Sequence, residues 1–233
     1  MDVLRSAATI GARARQRAQS PEAELARLRE QVAWLKAERA ALWWAVGHDD
    51  LTGLANRRLF AELAPGLLRQ GRPAAVIILD LNGFKPINDA YGHDAGDLVL
   101  QIVAQRLAFG AGDGLVARLG GDEFTAVLTS PHRESADQWW RPVVTALSAA
   151  IAEPMPLEGH TLDVTASIGV APAGDGVPVV ELLRRADRAM YHAKVNRSAY
   201  AAWAEPAEPT RPDVAAPRDR WSAYLGTYRV ASA

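Results

Sequence analysis

The sequence contains no cysteine. That excludes disulfides and every thiolate-based zinc site, and it fits a reducing compartment, so a cytoplasmic protein is expected. Long apolar runs are also missing. None reaches the roughly 18–20 residues that cross a bilayer, and no membrane association is expected. Neither sign of charge dominates: a formal net charge of −1 supplies no general pull toward nucleic acid, and none is expected as a partner. Met1 to Ser20 carries Arg5, Arg13, Arg15 and Arg17 but no continuous apolar stretch followed by a cleavage site. Residues 1–20 therefore read as a flexible basic arm, not a signal peptide. No internal repeat is evident.

What is present is enough apolar material for one sizeable domain with extensions, 49% hydrophobic residues in a chain of 233. The first periodic segment covers residues 21–46. Leu25, Leu28, Val32, Leu35, Leu42 and Val46 alternate at spacings of three and four, with Arg39 filling the missing position. Leu25, Val32, Arg39 and Val46 fall at a, and Leu28, Leu35 and Leu42 at d. Valine at a with leucine at d favours a parallel two-stranded coiled coil, so a dimerising helix is expected. Ser20-Pro21 supplies an N-cap and a first-turn proline. Trp34, Trp43 and Trp44 lie off this seam and leave open a helix packed on its own domain.

From Gly47 helical and strand patterns alternate. Asn56 to Gln70 reads as a helix with a possible interruption at Pro65-Gly66. Ala74 to Leu79 reads as a strand buried on both faces. Ala95 to Phe109 reads as an amphipathic helix, and Leu115 to Leu119 and Phe124 to Leu128 as strands. Glu134 to Ala152 follows as a helix broken near Arg141-Pro142. Leu162 to Ala171 is β-rich, Val179 to Lys194 helical, and Tyr200 to Trp203 a last short strand. The expected fold is α/β, a mixed, mainly antiparallel central sheet flanked by helices over residues 47–204, preceded by the coiled-coil helix. Residues 205–233, with Pro206, Pro209, Pro212 and Pro217, read as a linker or disordered tail ending in the aromatic cluster Trp221, Tyr224 and Tyr228.

The chemistry concentrates in Gly120-Gly121-Asp122-Glu123-Phe124. The glycines between two strand patterns signal a hairpin, and they also let a ligand approach the backbone closely. Asp122-Glu123 sets two carboxylates at a sheet edge, a donor type suited to hard cations such as Mg²⁺. Alone, these five residues are also readable as an ordinary turn, and Asp80 after the buried strand as a strand-end cap. Phosphoryl transfer with two metals needs acids from separate strands converging on cations roughly 3.5–4 Å apart. Asp80 and Asp122 supply such a pair. Asn88 and Asp97 suit a guanine edge, an amide bonding carbonyl and ring nitrogen and a carboxylate accepting from N1–H and the exocyclic amine. Each is also readable as a turn or cap residue. His48, His93 and His192 form no metal pattern.

Read in order, these segments carry a resemblance. They are Asp49-Asp50-Leu51-Thr52-Gly53-Leu54-Ala55-Asn56-Arg57-Arg58, Asp80-Leu81-Asn82-Gly83-Phe84-Lys85, Asn88-Asp89 and Tyr91-Gly92-His93-Asp94-Ala95-Gly96-Asp97. They continue through Gly120 to Phe124, Ser167-Ile168-Gly169-Val170-Ala171 and Ala186 to Lys194. From about Gly47 to Trp203 the chain resembles the GGDEF domain of diguanylate cyclases, whose fold is palm-like. The resemblance implies that Asp80, Asp122 and the Leu81 carbonyl bind Mg²⁺, or Mn²⁺ in its place. Glu123 is implied as a catalytic acid that also serves the second metal. Gly120 and Gly121 would line the nucleotide, and Asn88 and Asp97 would read guanine. Lys85, Lys194 and the backbone of Gly83 and Phe84 would meet phosphate. The implied reaction joins two GTP into cyclic di-GMP with release of two pyrophosphates. It runs across a homodimer that the N-terminal helix would assemble.

The chain departs from the family pattern in three places. Asn82 replaces an acid common two residues after the first metal aspartate. The usual Lys-x-x-Gly-Arg ending is Lys194-Val195-Asn196-Arg197-Ser198 here, so Arg197, one residue early, is the candidate phosphate arginine. The positions of an inhibitory Arg-x-x-Asp are Ala111-Gly112-Asp113-Gly114, so no inhibitory product site is expected. The rival expectation is a catalytically silent module that binds GTP or a regulatory protein partner and signals through its coiled coil. A weaker one is a palm-like nucleotidyltransferase for another nucleotide.

Overall fold

The apolar run at Ala74 becomes the central strand of the domain. The computed structural model describes residues 21–132, 138–157 and 159–204. The arm expected over 1–20 and the tail over 205–233 lie outside them. The chain divides after Val46 into two units. Among the described residues the first consists of helix α1 (Pro21–Gly47, its last residue in the second unit), with Glu22 and Glu24 in its first turn where they complement the helix dipole. The six apolar residues of the seam, from Leu25 to Val46, stand roughly half exposed.

In the second unit the elements follow as β1 (Ala55–Asn56), α2 (Arg57–Leu68), β2 (Ala74–Asn82), α3 (Phe84–Tyr91), α4 (His93–Ala111), β3 (Leu115–Gly120) and β4 (Glu123–Thr129). Then come α5 (Trp140–Ala152), β5 (Met155–Leu157), β6 (His160–Leu162), β7 (Thr165–Pro172), α6 (Val179–Val195) and β8 (Tyr200–Ala202). The main sheet runs β1-β3-β4-β2-β7-β8. Its three central pairings are antiparallel, and the two edge strands β1 and β8 lie parallel to their neighbours. This is the mixed, mainly antiparallel sheet expected from the sequence. Among the described residues no helix is long and apolar enough to cross a membrane.

Strand alternation distributes β2 between two cores. Ala75, Ile77, Leu79 and Leu81 pack under α4 and α5 with Val99, Val103, Leu107, Val144 and Leu147. Val76 and Ile78 pack under α2 and α6 with Leu59, Phe60, Leu182, Leu183 and Met190. Asp80 is the next member of that second series. Thr125, buried in β4, satisfies its hydroxyl by donating to the Ile77 carbonyl at 2.7 Å.

Three local expectations change. Helix α2 continues through Pro65. Asn56 caps its start, accepting from the Arg58 and Leu59 amides, and burial of Leu59, Phe60 and Ala64 offsets the lost hydrogen bond. Pro142 breaks nothing, because α5 begins at Trp140 and the proline sits in its first turn, where no amide donor is needed. The β-rich stretch from Leu162 is preceded by a separate hairpin, β5 with β6, tied to the core by Met155 and Leu162. Trp140 is buried and meets Tyr200 edge-on at 6.3 Å, so this tryptophan packs its helix on the sheet.

Candidate active site

The two aspartates of interest are brought together by strand pairing. Asp80 lies inside β2, which runs on to Asn82, not after it as the apolar run alone implied. It pairs with Glu123 across β4 and with Ser167 across β7. The β3–β4 register shifts between Arg118 and Gly120, so Gly120 pairs with Glu123 and the turn is Gly121-Asp122, not Gly120-Gly121. Both glycines hold positive φ, 141° and 55°, which side-chain-bearing residues adopt only with strain. The Leu81 amide donates to the Asp122 carbonyl at 3.4 Å. A strand residue directs its amide and carbonyl to the same side, so the Leu81 carbonyl also faces this turn.

Electrostatics sharpen the picture. Asp80 is buried, 7% exposed, and both its carboxylate oxygens accept from Lys194 Nζ at 2.8 Å. Asp122 titrates above the usual carboxylate range, because burial disfavours its charge and the nearby Asp80 carboxylate repels it. Its own backbone hydrogen bond, Lys194 and Arg118 oppose that rise without cancelling it. Among the described residues no three acidic, histidine or cysteine side chains form a cage for a metal. Glu123 therefore does not complete a three-carboxylate cluster with these aspartates. Two carboxylates and a backbone carbonyl still fit Mg²⁺, which keeps waters and takes one or two protein carboxylates together with substrate phosphates.

The proposed base-reading residues sit where α3 folds back on α4. Gly83, with φ 73°, opens α3, and Gly92, with φ 85°, separates the two helices. Asn88 is partly buried and Asp97 exposed, on neighbouring surfaces of the two helices. The Asn88 carboxamide occupies the space a Cβ on Gly96 would need, so it lies against the residue that precedes Asp97. Phe84 is partly buried against the core, and Lys85 is exposed at the start of α3.

The far side of the site is the end of α6. Arg197 has φ 52°. The Ser198 amide donates to the Ala193 carbonyl at 2.9 Å, so Arg197 holds the left-handed position of a Schellman cap, where glycine is usual. Lys194 and Arg197 line a cavity of about 550 Å³ together with Asn82, Ser167 and Tyr200. Asn82 does not offer its oxygen freely: Oδ1 accepts from Ser167 Oγ at 2.9 Å and Nδ2 donates to Thr165 Oγ1 at 3.1 Å. Its amide ties β2 to β7, a task a carboxylate could fill only as an acceptor.

One contributor was not assigned from sequence. Arg118 donates from Nη1 to both oxygens of Asp49, and from Nε and Nη2 to the Gly121 carbonyl at 3.0 and 2.8 Å. Asp49 in turn accepts from the Thr52 amide and hydroxyl, so the aspartate caps this turn. Burial pushes the Asp49 carboxyl up, but hydrogen bonds from Thr52 and Arg118 outweigh it and hold the group below its ordinary range. An arginine two residues before the glycine pair was the available signal. Its partner, 69 residues away, was not legible.

Comparison with known proteins shows which family shares this sequence and fold. The family profile "Diguanylate cyclase, GGDEF domain" matches residues 46–199. The chain is 43% identical over 153 residues to the bifunctional diguanylate cyclase/cyclic di-GMP phosphodiesterase MucR of Pseudomonas aeruginosa, covering 63% of this chain and 22% of MucR. It is 39% identical over 169 residues to the diguanylate cyclase DgcN of Escherichia coli, covering 70% of this chain and 41% of DgcN. The chain thus spans less than half the length of these relatives. Among solved structures, the coiled coil and GGDEF domain of DgcB from Caulobacter crescentus, in complex with c-di-GMP, superposes with a TM-score of 0.66 at 28% identity, covering 79% of this chain and all of that one. The diguanylate cyclase SiaD of Pseudomonas aeruginosa, in complex with its activator SiaC, gives 0.60 at 28% identity, covering 86% and 77%.

Proposed function

The chain belongs to the diguanylate cyclase GGDEF family, and from that premise we propose that it condenses two GTP into cyclic di-GMP, releasing two pyrophosphates, as a homodimer. The observation that carries this reading is the meeting of Asp80, Asp122 and Lys194, from a strand, a hairpin turn and a helix end, at the C-terminal end of β2. Like charges held together with one of them buried are costly to folding, and perturbed carboxylates of this kind cluster where chemistry uses them.

In this reading Asp80, Asp122 and the Leu81 carbonyl hold Mg²⁺, with Mn²⁺ able to substitute, and Glu123 serves the second metal. When bound, the cation polarises the α-phosphate and offsets charge on the attacking and leaving oxygens. Asn88 and Asp97 bond the guanine edge. Gly120 and Gly121 let the nucleotide lie against the hairpin backbone. The Gly83 and Phe84 backbone, Lys85, Lys194 and Arg197 bind the triphosphate. Lys194 already sits between an acid and the cavity that Arg197 lines, a position from which it can neutralise phosphate charge. Glu123 accepts the proton of the ribose 3′-hydroxyl. That oxygen then forms a bond to the α-phosphorus of the other GTP as the bond to the β-phosphate oxygen breaks.

One domain holds one GTP, so the opposing nucleotide must arrive on a second copy. The exposed seam of α1 supplies the means, and holding two domains on one coiled coil raises the effective concentration of the second half-site. A regulatory protein partner is proposed as the input to this helix.

The test incubates the purified chain with GTP and Mg²⁺ and identifies products by mass. Cyclic di-GMP that disappears in Asp122→Ala supports the reading. GTP binding without pyrophosphate release, under dimerising conditions, would instead establish a silent nucleotide-binding module.

A further inference from the structure

Gly96 sits in the first turn of α4, buried, with a backbone outside the left-handed region. Nothing in its conformation requires glycine, and alanine would be the better helix former. What the position requires is room. A Cβ there would collide with Asn88 Oδ1, and would stand 2.9 Å from Asn88 Cγ and 3.2 Å from Phe84 Cζ. These are its three nearest heavy atoms, and all belong to α3 side chains, two of them to the carboxamide of Asn88. The leucines and valines packed under α4 are not among them. A glycine kept for helix-to-sheet packing would meet those core atoms instead.

We infer that Gly96 is a positioning residue for base recognition: its missing side chain seats the Asn88 carboxamide against α4 beside Asp97, so that amide and carboxylate address one guanine edge. The inference rests on the reading of Asn88 and Asp97 as the guanine-binding pair. A methyl group at residue 96 displaces the carboxamide by about an ångström or more, enough to leave a hydrogen bond to the base unmade, while Asp97 keeps its place. Displacements of that size are known to cost up to about a hundredfold where geometry is demanding, and unpaired polar groups are the strongest discriminators between bases.

The experiment uses the full chain as wild type, Gly96→Ala, Asn88→Ala and the double variant. Affinity is measured for guanosine 5′-(α,β-methylene)triphosphate, which cannot be condensed, and for its adenosine counterpart, alongside the melting temperature of each protein. Gly96→Ala is expected to lose about tenfold or more in affinity for the guanosine analogue and most of its preference over the adenosine analogue. Asn88→Ala is expected to do the same, and the double variant to be no worse than Asn88→Ala. Gly96→Ala binding like wild type, or losses that multiply in the double variant, would overturn the inference and leave the guanine reading standing. A wild type that binds neither analogue overturns the guanine reading itself and the inference with it. If Gly96→Ala does not fold, folding restored by Asn88→Ala supports the inference. A double variant that also fails to fold shows that the glycine serves packing, and overturns it.

Discussion

Arg118 binds Asp49 through one edge of its guanidinium and the Gly121 carbonyl through the other, joining the first turn of the domain to the turn that carries Asp122. The side chains are only 12% and 23% exposed, so the pair is shielded from solvent. Arg118→Ala is expected to cost about 2–3 kcal/mol by leaving a partly buried carboxylate short of a donor. It should also loosen the Gly121-Asp122 turn and lower turnover more than GTP-analogue affinity. Chemical denaturation and steady-state kinetics check the two parts separately.

The same carboxylate sets an acid limit on stability. Asp49 titrates lower folded than unfolded, so its contribution is complete above the unfolded value of about 3.9 and fades as pH falls through the folded value. Below about pH 4 wild type should lose stability faster than Asp49→Asn, and the two denaturation curves should converge. A gap that stays constant across pH 3–6 would contradict this assignment.

Asp122 has the opposite sign. Its folded value is raised, by burial and then by Asp80, so its charge opposes folding increasingly as pH rises through that value. Without metal at neutral pH, Asp122→Asn should melt at or above the wild-type temperature. Cyclic di-GMP formation should fall by about a hundredfold or more, the scale of losing a charge partner at the reacting centre. Added Mg²⁺ should raise the wild-type melting temperature more than that of the variant.

Arg197 strains the backbone for its place at the end of α6. Arg197→Gly relieves the left-handed conformation and is expected to stabilise the fold by about 0.5–1 kcal/mol. The same change should weaken triphosphate binding several-fold while leaving binding of guanosine alone unchanged. Calorimetry with the two ligands distinguishes this from a purely structural arginine.

Arg106 provides a control remote from chemistry. It donates to the carbonyls of Ile151, Glu153 and Pro154 and closes the C-terminus of α5. Arg106→Ala should cost about 1–3 kcal/mol, with product formation per folded molecule unchanged.

The sequence revealed what depends on residue type and local order. Alternation and apolar runs located β2, β4 and α6, side-chain chemistry singled out Asp80, Asp122 and Asn88, and the family resemblance added Lys194 before any geometry was known. What it hid depends on distance or on small differences in free energy. The Arg118 to Asp49 pair and the Arg106 cap join segments far apart in the chain. The β5–β6 hairpin is too short, and too polar around His160, to show a period. Pro65 read as a break because its lost hydrogen bond is visible in sequence, while the burial of Phe60 that offsets it is not. Gly96 looked like one more motif glycine until the carboxamide filling its space was seen.

The alternation of β2 gives Asp80 an address that is a matter of parity. A single residue inserted or deleted between Ala75 and Asp80 would turn a leucine toward α6 and drive the carboxylate into the packed layer beneath α4 and α5. No intermediate placement exists. The segment ahead of the strand, Gln70 to Pro73, can change length without touching that parity. The Asp80 carboxylate is thus guarded less by its own contacts than by every aliphatic side chain that fixes the register of its strand. Selection on those core residues is, indirectly, selection on the chemistry.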